Sequence, residues 1–181
     1  MDMKASGLSA HYKHLTNPRC FLYNFLKMPL TINDYQKHGY VFHGSPNPDI
    51  KILEPRPATD VDKSNTFNND TAVFATKNPV ASVIFACMSL INLPKEIHNR
   101  SWSVTQDENG QIVSKIPRIW KEYVESNTGY IYVLDGKSFT GEGETEGGWQ
   151  VKSKQPITPT AKILVSFSDF EKLGGKLIWK D

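Results

Sequence analysis

The most informative segment of the sequence is Tyr40-Val41-Phe42-His43-Gly44-Ser45-Pro46. Its aromatic and β-branched opening predicts a short buried strand, because such side chains suit a pleated, packed surface. The histidine and glycine that follow place an imidazole and an open backbone edge at the rim of a sheet. Because glycine has no Cβ, a ligand can approach its backbone N–H and C=O closely. The same pattern also fits an ordinary transition from strand to loop with an incidental histidine.

The next apolar stretches predict a second strand and a buried helix. Ala72-Val73-Phe74-Ala75-Thr76 has the composition of the strand. Asn78 suits the N-cap and Pro79 the first helical position, so we expect a helix from Pro79 to about Leu93. This segment has almost no polar face, and a helix that is apolar on all sides is buried. We therefore expect the helix to lie across the middle of the fold.

Short strands dominate the remaining pattern. Asn109-Gly110 lies between the strand-like runs 102–105 and 111–114, which predicts a hairpin. Further strands are expected at 129–134, 161–167 and 176–179, and a short helix at 117–125 is expected to bury Ile119, Trp120 and Tyr123. With roughly seven short strands and one central buried helix, the predicted fold class is α+β.

The domain organisation is simple. A chain of 181 residues suits one domain with a real core. Apolar residues from Phe21 to Met28 share one face of a short helix that Pro29 ends. We expect residues 1–38 to form an N-terminal helical extension packed on a domain that spans 39–181. Within that extension, Thr31 or Asn33 can cap a turn.

Composition excludes several classes of protein. Hydrophobic content of 39%, charged content of 22% and a net charge of +2 fit a soluble globular protein without a nucleic-acid signature. No run approaches the roughly 18–20 apolar residues of a membrane span, and the N-terminus has no apolar signal region. We therefore expect an intracellular, cytoplasmic protein with no membrane partner.

Metal-ligating residues do not cluster in the sequence. Cys20 and Cys87 lie far apart, which argues against a disulfide framework and a zinc site. His11 and His14 are three residues apart near the terminus, where exposure explains them better than metal binding. We expect no metal cofactor.

The order of three segments resembles the ADP-ribosyltransferase fold. A strand ends in His-Gly-Ser at 43–45, a second strand at 73–76 leads into a buried helix, and an acidic region precedes a strand at 146–151. The resemblance covers about Tyr40 to Phe167 and is to the branch with histidine, an aromatic residue and glutamate. It implies two short packed half-sheets that form a split cleft for NAD, the co-substrate, around the central helix.

The resemblance also implies roles for residues of the first motif. His43 would bond a ribose hydroxyl, and the backbone of Gly44 would pair with the nicotinamide carboxamide. Histidine suits a contact with a ribose hydroxyl, because the neutral ring offers one donor and one acceptor nitrogen. Ser45 and Arg56 are further candidate cofactor-binding residues.

The family stacks an aromatic ring on the nicotinamide. The candidates here are Phe74 and Phe85, whose faces can take that role. Core packing is the alternative for both rings, above all for Phe85 within its apolar helix. Thr76 or Ser82 would supply a hydroxyl to the carboxamide.

The third motif requires a carboxylate that holds the ribose and stabilises the positive charge formed as nicotinamide leaves. Glu146 and Gln150 are both candidates for this catalytic position. Glu146 lies in a glycine-rich loop, from which it could enter the cleft or remain solvated. Gln150 would bond the ribose without supplying charge, which argues against polymer elongation.

Three functions follow from these residues. The first is mono-ADP-ribosyl transfer from NAD to an unidentified acceptor, which is a protein, a nucleic acid or a small molecule. The second is RNA 2′-phosphotransferase-like activity, with Arg56, Lys77 and Lys152 as candidate phosphate ligands. The third is a catalytically inactive module that binds NAD, another nucleotide or a protein partner. Loops at 58–71 and 136–148 are expected to select the acceptor.

Overall fold

The computed structural model describes residues 30–58, 64–88, 93–98, 100–141 and 148–181. Thr31–Asp181 form one compact unit. Within the described residues this unit has an α+β architecture of nine strands in two sheets, together with four short α-helices. The predicted helix at 21–28 and the catalytic candidate Glu146 lie outside the described residues.

Each element is short, in keeping with the predicted pattern. The strands are β1 (Val41–Ser45), β2 (Arg56–Pro57), β3 (Thr71–Thr76), β4 (Ser103–Gln106), β5 (Ile112–Pro117), β6 (Thr128–Leu134), β7 (Gln150–Ser153), β8 (Ala161–Ser166) and β9 (Lys176–Lys180). The α-helices are α1 (Ile32–Lys37), α2 (Pro79–Cys87), α3 (Lys121–Val124) and α4 (Asp169–Lys172). In the described part of the chain, three 3-10 turns span Lys95–Ile97, Arg118–Trp120 and Gly136–Ser138.

The larger sheet has the order β2-β3-β1-β6-β8, and β7 also pairs with β3. All of these pairings are antiparallel. Strand β1 pairs with β6 along its whole length, from Val41 opposite Leu134 to Ser45 opposite Tyr130. Its ladder with β3 consists of Phe42 opposite Thr76 alone. Strands β1 and β3 therefore part at the His-Gly-Ser end of β1, which opens a cleft in the sheet.

The smaller sheet has the order β4-β5-β9. Strands β4 and β5 form the antiparallel hairpin predicted from Asn109-Gly110, which is confirmed. Gly110 has a φ of 79°, a left-handed conformation that glycine adopts without strain. Strand β9 then adds in parallel to β5, which brings the end of the chain beside the hairpin.

Helix α2 begins as predicted and is buried. The Asn78 side chain accepts a hydrogen bond from the Val80 N–H at 3.0 Å, and Pro79 is the first helical residue. Seven of its nine residues are buried. The predicted end near Leu93 is wrong, because the helix ends at Cys87 and Met88 leaves the helical conformation. Apolar composition marks burial, and it does not mark where a helix stops.

Two glycines let α2 lie directly on the sheet. A Cβ on Gly44 of β1 would come within 2.1 Å of the Ser82 carbonyl oxygen. A Cβ on Gly129 of β6 would come equally close, 2.1 Å, to the Ala86 carbonyl oxygen. Real side chains do not tolerate such distances, so the backbone of α2 rests on strand positions that have no side chain.

The predicted short helix at 117–125 forms as a 3-10 turn followed by α3. Trp120 is buried as predicted, and its Nε1 donates to the Ile97 carbonyl oxygen at 3.0 Å. The predicted burial of Ile119 is wrong, since this side chain is 48% exposed. A 3-10 turn has three residues per turn, which directs neighbouring side chains to different sides. Val124 is buried in the core instead, and Tyr123 is partly buried beside it.

Helix α1 occupies part of the segment predicted as an extension. Thr31 caps it through a reciprocal pair of hydrogen bonds with Asp34. Ile32 and Tyr35 pack against the main core cluster. The boundary at residue 38 stays a prediction, although α1 belongs to the compact unit that begins at Thr31. Among the described residues, no helix is long and apolar enough to cross a membrane.

Gly129→Ala is expected to destabilise the protein by about 1–3 kcal/mol or more, because the added methyl group overpacks the contact with Ala86. Thermal and denaturant unfolding would measure the loss. The matched control is Thr128→Ala, which changes an exposed residue of the same strand. Equal stability of the two variants would contradict the close contact between α2 and β6.

Candidate functional site

The main candidate site is a pocket at the place where β1 and β3 part. Its volume is about 530 Å³, within the range of roughly 300–1,000 Å³ that is usual for ligand sites. The pocket is mostly apolar with a few polar groups, and its lining comprises Phe42, His43, Gly44, Ala58, Asn68, Phe74, Ala75, Thr76, Phe85, Trp102 and Gln150. Six residues predicted from sequence meet here, namely His43, Gly44, Phe74, Thr76, Phe85 and Gln150.

His43 bridges the two strands that separate. Its Nδ1 donates a hydrogen bond to the Phe74 carbonyl oxygen at 2.8 Å, since a carbonyl can only accept. This bond leaves Nε2 of the neutral ring as an acceptor. Burial lowers the pKa of His43 below its ordinary value of 6.5, against the opposing effect of the Phe74 carbonyl, and the positive charge of Arg56 lowers it further. The imidazole is therefore neutral at pH 7.

Gly44 stands between the pocket and helix α2. The absent side chain is what allows the helix backbone to approach, with Ala86 N at 2.6 Å and Phe85 Cβ at 2.9 Å from an ideal Cβ position. The same contact sets Phe85 beside the end of β1. A strand end and a ring from the helix thus form adjacent walls of the pocket.

Phe74 and Phe85 both line the pocket and both are half-buried. Phe85 packs edge-to-face on Trp102, with ring centroids 5.8 Å apart and an interplanar angle of 63°. Phe74 makes a similar contact with Phe67 at 5.9 Å and 70°. Phe85 also packs against the main core cluster, as the sequence allowed, and both residues line the pocket.

The predicted hydroxyl ligands have partners of their own. Thr76 lines the pocket, and its Oγ1 donates to the Asn78 carbonyl oxygen at 2.7 Å. Its lone pairs can still accept a hydrogen bond. Ser82 is fully buried, donates to the Pro79 carbonyl oxygen at 2.6 Å and does not line the pocket. Of these two residues, only Thr76 lines the pocket.

Ser45 and Arg56 lie beside the pocket and are not part of its lining. The Ser45 Oγ accepts a hydrogen bond from the Asn47 N–H at 3.2 Å, which shapes the turn after β1. Arg56 is exposed in β2, near enough to His43 for its charge to affect that imidazole. A ligand that extends out of the pocket toward β2 would meet Arg56.

Gln150 opens β7 and lies opposite Thr76 of β3. Its Oε1 is buried and has no hydrogen-bond partner among the described residues. The Nε1 of the neighbouring Trp149 is likewise buried without a partner in the described part of the chain. An unpartnered buried polar atom is costly, and a ligand that donates to it offsets the cost. No carboxylate lines the pocket within the described residues, and Glu146 is outside them.

The loop before β3 is tied to β7 by an ion pair. Lys152 Nζ lies 2.7 Å from Asp70 Oδ2 and 4.6 Å from the centre of the Phe67 ring, and Lys154 also pairs with Asp70. Hydrogen bonds from Lys152, and then from Lys154, hold the pKa of Asp70 well below its usual range. Lys152 is therefore engaged by a carboxylate. The side chains of Arg56 and Lys77, the other two phosphate candidates, lie at the surface.

Five residues of the lining were not predicted as site residues, namely Phe42, Ala58, Asn68, Ala75 and Trp102. Asn68 lies in the polar loop that the sequence marked as functional, but nothing distinguishes it there. Trp102 was assigned only to the hairpin, and no sequence signal connects it to the pocket. Among the described residues, no group of three His, Cys, Asp or Glu side chains could hold a metal ion.

Comparisons with protein-family models, with curated proteins and with solved structures found no match. The functional interpretation therefore depends on the chemistry of this pocket.

Stability is expected to fall as the pH is lowered below 6.5, the ordinary pKa of the histidine side chain. The folded protein favours neutral His43, whereas the unfolded chain takes up the proton more readily. The stability that this difference contributes is fully present above pH 6.5 and is lost as the pH falls toward the lower pKa of His43 in the folded protein. Denaturant unfolding over a pH series would measure this. His43→Gln should flatten that part of the profile, and His38→Gln, which removes an exposed imidazole, is the matched control. An unchanged profile in His43→Gln would contradict the assignment.

Proposed function

We propose that this chain has an ADP-ribosyltransferase fold, binds NAD in the pocket at the end of β1, and transfers single ADP-ribose units to an acceptor. The observation that carries the proposal is the hydrogen bond from His43 to the Phe74 carbonyl oxygen. It holds a neutral histidine with an acceptor nitrogen beside Gly44 and between two walls that carry aromatic rings. A ribose hydroxyl and a planar amide are the ligand groups that fit this combination.

The nicotinamide ring lies between Phe74 and Phe85. In NAD this ring is a cation, and the faces of aromatic rings attract cations. The carboxamide pairs with the backbone of Gly44, which lines the pocket at the end of β1. The ribose hydroxyl next to the reacting carbon donates to Nε2 of His43.

Transfer breaks the bond between the ribose anomeric carbon and the nicotinamide nitrogen. The bonding electrons leave with neutral nicotinamide, and the positive charge that forms on the ribose needs stabilisation. Gln150 Oε1, buried and without a described partner, accepts a hydrogen bond from the ribose. Glu146 supplies the carboxylate in this proposal. The acceptor then bonds to the anomeric carbon and loses its proton to solvent.

Binding of NAD without transfer is the second candidate. The neutral lining of the described pocket favours it, because Gln150 offers hydrogen bonding but no charge where the reaction develops positive charge. RNA 2′-phosphotransferase activity has less support. Lys152, one of the three candidate phosphate ligands, is already paired with Asp70.

Incubation of the pure protein with NAD is expected to release nicotinamide, which chromatography would quantify. His43→Ala should weaken NAD binding about five- to hundredfold in calorimetry, because it removes one buried hydrogen bond to the ribose. Glu146→Gln should lower release about 10²- to 10³-fold with little change in binding. The controls are His38→Ala and Glu142→Gln. Release that survives His43→Ala at full rate would refute the site, and NAD binding without release would favour the second candidate.

Gln150→Glu is expected to raise the rate of nicotinamide release about tenfold or more, because it places a charge beside the ribose where an amide now lies. Single-turnover measurements at saturating NAD would show this as a change in rate. Gln155→Glu adds the same charge at an exposed position after β7 and should have no effect. A drop in release with Gln150→Glu, in a variant that keeps its thermal stability, would show that this position does not face the ribose.

A further inference from the structure

The second sheet contributes an aromatic wall to the pocket through Trp102. This residue directly precedes β4, the first strand of the smaller sheet, whereas His43, Gly44 and Phe74 belong to the larger sheet. Trp102 nevertheless lines the same pocket as they do. Its side chain is half-buried and packs partly against the main core cluster. A large aromatic residue in this position leaves apolar surface that a ligand can cover.

The contact between Trp102 and Phe85 has a shape that suits a flat ring. With an interplanar angle of 63° and a centroid separation of 5.8 Å, the two rings form an open corner. A planar ligand that stacks on one of them presents its edge to the other, and both arrangements are favourable for aromatic groups. The corner lies at the Gly44 end of the pocket, because Phe85 Cβ is beside Gly44.

We propose that Trp102 contacts the nicotinamide ring of NAD: the ring stacks on Phe85 and meets Trp102 along its edge. This inference rests on the proposed function and assigns a further binding residue to the same site. Trp102 covers the end of the ring that Phe74 and Phe85 leave open and excludes water from it. The adenine end of NAD lies away from this corner.

Tryptophan fluorescence reports the proposed contact directly. The chain has four tryptophans, and Trp102 is the one that lines the pocket. Binding of NAD should quench the emission, and Trp102→Phe should remove most of that quench. Trp179→Phe is the matched control, because Trp179 is also half-buried but packs near Phe167 and Lys121 outside the pocket. The Trp179→Phe variant should keep the full quench of tryptophan emission by NAD.

Affinity gives a second readout. Trp102→Ala should weaken NAD binding in calorimetry about three- to tenfold, the value of one aromatic contact, and Trp102→Phe should weaken it less. Nicotinamide mononucleotide should reproduce the quench, whereas AMP, which has no nicotinamide, should not. Thermal unfolding of each variant shows whether weaker binding comes from the lost contact with NAD or from a destabilised fold. If Trp102→Ala does not fold, Trp102→Phe still tests the contact, because it keeps an aromatic ring against the core.

The outcomes separate this inference from the proposed function. If NAD binds and His43→Ala weakens it, but Trp102→Phe keeps the full quench and the full affinity, the role of Trp102 is refuted while NAD binding stands. If AMP quenches Trp102 and nicotinamide mononucleotide does not, the assignment to the nicotinamide end is refuted. If wild-type protein binds none of the three, the proposed function fails and the inference fails with it.

Discussion

The close contact of helix α2 with the larger sheet is the constraint on which the rest of the structure depends. Gly44 on β1 and Gly129 on β6 leave room for the helix backbone, and any side chain at either position would collide with a carbonyl oxygen. The buried helix can therefore lie flat across two neighbouring strands. Its position also sets Phe85 beside the end of β1, so the packing of the core and the wall of the pocket have the same cause.

The pocket exists because β1 and β3 pair at one position and then part. His43 spans the gap through its bond to the Phe74 carbonyl oxygen, which satisfies a backbone group that the missing ladder would leave open. That bond also orients the imidazole and keeps a proton on Nδ1. Burial, in turn, disfavours the charged form of the ring. A break in the sheet thus creates the cavity and fixes the chemistry of its central polar group.

The other walls come from distant parts of the chain. Strand β7 pairs with residues 73–76 of β3 and brings Gln150 opposite Thr76. The pairing of Lys152 and Lys154 with Asp70 ties the preceding loop to β7, close to Phe67 and Asn68. Trp102 arrives from the smaller sheet. Segments that are far apart in sequence therefore form the walls of the pocket, and their relative placement depends on strand pairing and on the ion pairs of Asp70.

Short-range sequence patterns were enough to predict the local elements. Aromatic and β-branched residues indicated β1 and β3, Asn78-Pro79 indicated the start of α2, and Asn109-Gly110 indicated the hairpin, because capping and turn preferences act over a few residues. The sequence also singled out six residues that line the pocket. The tertiary structure alone decided that α2 ends at Cys87, that Ile119 is exposed, that Lys152 is paired and that Trp102 joins the site. Each of these depends on which distant segments meet, and strand register and packing across the whole domain decide that.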